Sequence, residues 1–165
     1  MVMNRFRQSQ LALVAAGVVT IAACNSGSST GGFDVDRSFT IPLTTTEEVP
    51  TPRPSPATGS AEVVIYPQSI DYRLTANSIV NVTAAHIHAG APGVAGPIVV
   101  FLFATDAATV TGPITGQFAR GTITANSLSP AVSLDSLKNL LKNGNGYVNV
   151  HTVVNPAGEI RGQVK

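Results

Sequence analysis

From Ser60 to the C-terminus, apolar residues recur mainly at every second position, and that period commits the chain to half-buried β-strands before any motif is considered. Ile70, Tyr72 and Leu74 alternate with Asp71, Arg73 and Thr75. Ala61, Val63 and Ile65 alternate less cleanly with Glu62, Val64 and Tyr66, and the Pro-Gln-Ser break at 67–69 predicts a hairpin between the two runs. Further strands are predicted at 38–43, 80–88, 98–103, 114–123 with an interruption near Arg120-Gly121, 147–152 and 159–164, with a turn at Asn77-Ser78. One helix is predicted, because Leu134, Leu137, Leu140 and Leu141 share a helical face. Ser133 is placed to cap its start, Lys138 and Lys142 suit its C-terminal dipole, and Gly144 or Gly146 can stop it. The fold class that follows is all-β: an antiparallel Greek-key β-sandwich or barrel of about eight strands with one short helix late in the chain.

The N-terminal part has a different character. Arg5 and Arg7 precede an almost purely apolar run at 11–23, too short to span a hydrocarbon core of about 30 Å as a helix, so it reads as the apolar core of a signal peptide. The run ends Ile21-Ala22-Ala23-Cys24, which resembles the lipobox of bacterial lipoprotein precursors. Cys24 is the only cysteine, and the resemblance makes it the lipidated mature N-terminus; the competing reading is an ordinary signal peptide cut near Ala23 with a chance cysteine. Asn25, rather than Asp, follows it, which favours the outer membrane or cell surface over the inner membrane. A Gly/Ser/Thr stretch without hydrophobes comes next and should act as flexible coil. The expected organisation is a lipoprotein signal peptide at 1–23, a tether at 24–36 and one folded domain at 37–165, exported and anchored to the cell envelope through a lipid.

Charge and composition exclude several functions. Ten Lys and Arg against nine Asp and Glu leave a net charge of +1 with no basic stripe, so nucleic acid is not an expected partner. Aromatic residues make up 5% and Trp is absent, which supplies no stacking platform for single strands. No phosphate-cradling glycine motif occurs, and the residues assign no catalytic group. Glu47 and Glu48, just before Pro50, Pro52, Pro54 and Pro56, read as solvated edge charges leading into an extended edge or connector.

The informative chemistry lies in the three histidines, His86, His88 and His151. Residues i and i+2 of a strand share a face, so both imidazoles of His86-Ile87-His88 can point at one ion. His151 sits mid-strand in 147–152, sharing a face with Tyr147 and Asn149. If the two strands are neighbours, three neutral imidazoles suit copper or zinc and leave a coordination position open. Asn149, Thr152 and Glu159 are candidates for the supporting groups around such an ion. The alternative is structural: on an unbroken strand, His86 and His88 share the face of Val80, Val82 and Ala84 and turn partly toward the core, an arrangement that a bulge between Ala84 and His86 would reverse. The segment that follows, Ala89-Gly-Ala-Pro-Gly-Val-Ala-Gly-Pro97, predicts a structured Gly/Pro loop over the histidine strand.

Four stretches in order, Ala85-His86-Ile87-His88, the Gly/Pro loop with Ile98-Val99-Val100, Tyr147-Val148-Asn149-Val150-His151-Thr152, and Asn155-Pro156-Ala157-Gly158-Glu159-Ile160-Arg161-Gly162-Gln163, closely resemble the CHRD domain, named for chordin. The resemblance runs from about Arg37 to Lys165. It implies an extracellular all-β domain, present as repeats in animal chordins and as single copies in bacterial secreted proteins and lipoproteins. The function expected from it is a binding or scaffold module in the cell envelope, with an envelope protein or polymer as ligand. Within these motifs, Asn155-Pro156-Ala157-Gly158 predicts a turn, and Glu159 and Arg161, on one face, predict an ion pair or a cross-strand network. The HxH strand with a later His is also similar to the copper ligands of copper-zinc superoxide dismutase. That likeness makes a copper or zinc protein the alternative function, with His86, His88 and His151 as ligands. No histidine remains for a separate zinc site, so dismutation is not expected.

Overall fold

The computed structural model describes residues 34–105 and 112–165. The expected signal peptide, Cys24 and most of the tether lie outside the described residues. The chain forms eight strands: β1 (Arg37–Thr44), β2 (Thr58–Ile65), β3 (Ile70–Ile79), β4 (Val82–Ala89), β5 (Ile98–Ala104), β6 (Ile114–Ile123), β7 (Gly146–Thr152) and β8 (Ile160–Gln163). They make one antiparallel sheet in the order β5-β4-β7-β8-β1-β2-β3-β6. The sheet curls until its two end strands approach each other. Tyr72 of β3 donates from its hydroxyl to the Leu102 carbonyl of β5 at 2.7 Å, and the Phe103 and Phe118 rings of β5 and β6 meet edge to face at 5.6 Å. A nearly closed antiparallel barrel is therefore the form taken, with the β3–β4 and β6–β7 connections crossing between non-neighbouring strands.

The alternation read in the sequence fills the barrel interior. Ile41 and Leu43 of β1, Ala61, Val63 and Ile65 of β2, Ile70 and Leu74 of β3, Val148 and Val150 of β7, and Ile160 of β8 are fully or almost fully buried. The helix α1 (Leu134–Lys142) precedes β7 as expected. Ser133 Oγ accepts from the Ser136 amide at 3.1 Å, Leu137 and Leu141 are buried, and Gly144, at φ +71°, takes the left-handed conformation that ends the helix at little cost.

Three local expectations are corrected. The β3–β4 turn lies at Val80-Asn81, with Asn81 at φ 57°; Ser78, at φ 55°, belongs to an irregularity inside β3, where pairing with β6 slips between Ala76 and Ile79. Ser78 takes the left-handed conformation within β3, so the Asn-Ser signal marks a bulge and not a turn. β6 runs without a break through Arg120-Gly121, and its slip falls at Phe118, the residue passed over between Leu74↔Ala119 and Thr75↔Gln117. The extra residue in the histidine strand lies upstream of the expected place, because β4 and β7 slip between Val82 and Ala84.

Candidate metal centre

That slip at Thr83 decides where the histidines point. Val82 faces the interior and pairs with Thr152; beyond the bulge, Ala85 and Ile87 take over the interior face, opposite Val150 and Val148. Ala84, His86 and His88 consequently turn to the outer face, opposite His151, Asn149 and Tyr147. β8 continues the same face with Arg161 and Gln163, while Ile160 fills the core. An outer barrel face would normally be solvated, yet His86, His88 and His151 are only 6%, 7% and 8% exposed.

Two connecting segments account for this burial. The Gly/Pro loop after β4 folds back across the face and is tied down by it. Gly96 donates its amide to the Tyr147 hydroxyl at 3.1 Å, Gln163 Nε2 donates to the Gly90 carbonyl at 2.8 Å, and Arg161 Nη2 donates to the Ala91 carbonyl at 3.3 Å. A Cβ on Gly96 would lie 1.7 Å from the Ala89 carbonyl oxygen, so only glycine allows this closure. The second segment is the proline-rich connector between β1 and β2. Ser55 donates from its hydroxyl to Glu159, whose other oxygen accepts from Thr152, and the Arg53 amide donates to Asn155 Oδ1 at 2.8 Å. Glu159 and Arg161 thus form no ion pair with each other; each holds a different covering segment. Glu48, expected to be a solvated charge, is 3% exposed, because the connector lays it beneath its own backbone against β7 and β8.

Within this enclosure the three histidines converge. Their candidate ligand nitrogens all lie within 4.8 Å of one another. His88 Nδ1 is 2.8 Å from the Gly96 carbonyl and His151 Nδ1 is 3.0 Å from the Pro156 carbonyl. A carbonyl only accepts, so each Nδ1 carries the proton and each Nε2 carries a lone pair. His86 Nδ1, 2.9 Å from His151 Nε2, then donates to it, which leaves His86 Nε2 bare as well. Asn149 Oδ1 is placed 3.0 Å from the same His151 nitrogen. His86 Nε2 and His88 Nε2 are buried without a hydrogen-bond partner.

The rings are also packed. Phe101 of β5 meets His86 edge to face at 4.6 Å, and Tyr147 stacks on His88 at 4.8 Å with the planes 8° apart. The Arg161 guanidinium lies over the Tyr147 ring, 3.5 Å from its centroid. All three histidines are held neutral. Burial lowers the pKa of His86 to about 4, with the neighbouring His151 and His88 adding to the effect. Burial also lowers those of His88 and His151. Metal ligation requires neutral imidazoles, and His88 and His151, each donating Nδ1–H to a carbonyl, keep Nε2 as the available ligand atom. Of the supporting groups expected from the sequence, Asn149 touches His151, whereas Thr152 and Glu159 bond each other and the connector instead. Tyr147, Glu48 and Arg161 complete the surroundings of the cluster; the sequence had marked Glu48 only as a solvated edge charge and Arg161 only as a partner of Glu159.

An antiparallel barrel with a buried histidine cluster on its outer face, roofed by a Gly/Pro loop and a proline-rich connector, defines the class of protein. The CHRD domain family model matches residues 39–164, and the chain belongs to the CHRD domain family. No curated protein and no solved structure shows significant similarity to the chain.

Proposed function

We propose that this CHRD domain is a metal-binding module, taking copper or zinc on His86, His88 and His151. The observation that carries this reading is the pair of backbone carbonyls, Gly96 and Pro156, that fix His88 and His151 with Nε2 toward the cluster. Structural histidines need no such agreement of tautomers, whereas histidine ligands commonly donate their second nitrogen to a carbonyl or carboxylate. Three neutral nitrogen donors suit copper and zinc better than magnesium or calcium, which prefer oxygen. An ion there would have an open coordination position and could serve in storage, delivery or redox chemistry. The lipobox-like sequence ending at Cys24 supports export and lipid anchoring, so the ion would be handled in the cell envelope. Titration of the chain with Cu²⁺ and Zn²⁺, followed by calorimetry and elemental analysis, tests the proposal; one ion per chain, lost in His88→Ala and His151→Ala, is the expected result.

A second reading treats the domain as a scaffold for an envelope protein or polymer, the histidines being structural. The family membership supports it, as does the way Phe101 and Tyr147 pack the rings. Metal indifference of the wild-type chain, together with specific retention on an envelope polymer or protein, would favour it.

A further inference from the structure

His86-Ile87-His88 on β4 and Asn149-Val150-His151 on β7 each place two side chains on the outer face of the barrel, because residues two apart on a strand share a face. The register sets His86 directly opposite Asn149. Asn149 therefore shares the middle of the cluster with His86, and it is buried there as completely as the histidines.

The contact it makes is an unusual one. Asn149 Oδ1 lies 3.0 Å from His151 Nε2. The His151 proton is on Nδ1, 3.0 Å from the Pro156 carbonyl, so Nε2 is a bare lone pair, and an amide oxygen also only accepts. Two buried acceptors facing each other with no proton between them call for an explanation. The amide also lies beside His88, whose Nε2 is buried without a partner. Its NH2 end faces the Glu48 carboxyl, which keeps the oxygen end on the histidines.

We infer that Asn149 Oδ1 is the fourth ligand of the centre, binding Zn²⁺ or Cu²⁺ together with His86, His88 and His151. The inference rests on the metal-binding reading and adds to it a ligand from within the chain for the position that three histidines alone leave open. A cation shared by Oδ1 and Nε2 replaces the repulsion of two lone pairs with two bonds. Donors about 2.0–2.2 Å from a tetrahedral zinc ion stand roughly 3.3 Å from one another, and the Asn149–His151 contact is close to that spacing. An amide oxygen is a hard donor, so the set of three nitrogens and one oxygen suits a divalent ion better than Cu⁺. A centre closed by four protein ligands holds its ion and does not present it to a substrate.

The test uses Co²⁺, whose visible spectrum reports its ligands, and azide, which enters an open coordination position. The Co²⁺-loaded wild-type chain should keep its spectrum when azide is added. Asn149→Ala, in which water takes the vacated position, should respond to azide and bind Zn²⁺ about 10–100-fold more weakly. An azide response in the wild type, no response in the variant, or an unchanged zinc affinity of the variant overturns the role of Asn149 alone. Absence of metal binding in the wild type overturns the metal reading and this inference together. Should Asn149→Ala fail to fold, NMR of the wild-type chain carrying ¹³C at the asparagine side-chain carbonyls decides. A carbonyl resonance that moves on Zn²⁺ binding supports the inference; a spectrum in which none moves overturns it.

Discussion

His86 Nδ1 and His151 Nε2 face each other at 2.9 Å across the β4–β7 pair, though 65 positions separate them in the chain. The contact depends on register. Were Thr83 not bulged, His86 and His88 would occupy the interior face now held by Ala85 and Ile87, and His151 would remain outside alone.

The neutral state of His86 makes stability depend on pH in a definite direction. Its pKa is lowered from 6.5 to about 4 by burial and by His151 and His88. A lowered pKa means that the stabilising contribution is fully present above about pH 6.5 and is lost as the pH falls toward about 4. The full effect is roughly 3 kcal/mol. Urea unfolding of the metal-free chain across this window should show stability falling with acidity, and His86→Gln should show a shallower slope.

Closure of the Gly/Pro loop should depend on Gly96. Gly96→Ala sets a methyl group against the Ala89 carbonyl and forces the loop away from His88 and Tyr147. A loss of about 2–4 kcal/mol is expected in denaturant unfolding. Gly93→Ala should cost far less, because a Cβ there meets nothing within 4 Å, although its φ of +74° adds some strain.

Glu159 is expected to act as a fastener of the connector and not as a catalytic acid. Glu159→Ala removes the acceptor for both Ser55 and Thr152 and should destabilise the fold by about 2–3 kcal/mol. Ser55→Ala, which removes one partner only, should cost about 1 kcal/mol. Thermal unfolding of the two variants would check the order, and Ser55→Ala should bind metal as the wild type does.

Asn149→Ala should weaken metal binding by about 10–100-fold without removing an imidazole, because it deletes the amide held against His151. Competition with a zinc indicator dye would measure it, against an unchanged stoichiometry of one ion per chain.

Much of the fold was legible because alternation, Pro/Gly punctuation and the capped leucine helix all report on local geometry. The pairing of the HxH strand with the 147–152 strand could be posed only as a condition, since neighbour relations in a barrel are set by long-range closure. The bulge at Thr83 left no mark, because Thr suits a regular strand as well as an irregular one. Glu48 was misread in a related way. Charged residues beside prolines and at strand ends look solvated until segments from elsewhere in the chain cover them, and it is that covering which makes a buried centre of an outer face.

The most direct measurement of the central claim is a Cu²⁺ and Zn²⁺ titration of the wild-type chain beside His88→Ala and His151→Ala, with bound metal counted by elemental analysis. A three-histidine centre predicts one ion per wild-type chain at submicromolar affinity and none retained by either variant. A wild-type chain that takes up no metal, or variants that bind as well as it does, would contradict the account and return the histidines to a structural role.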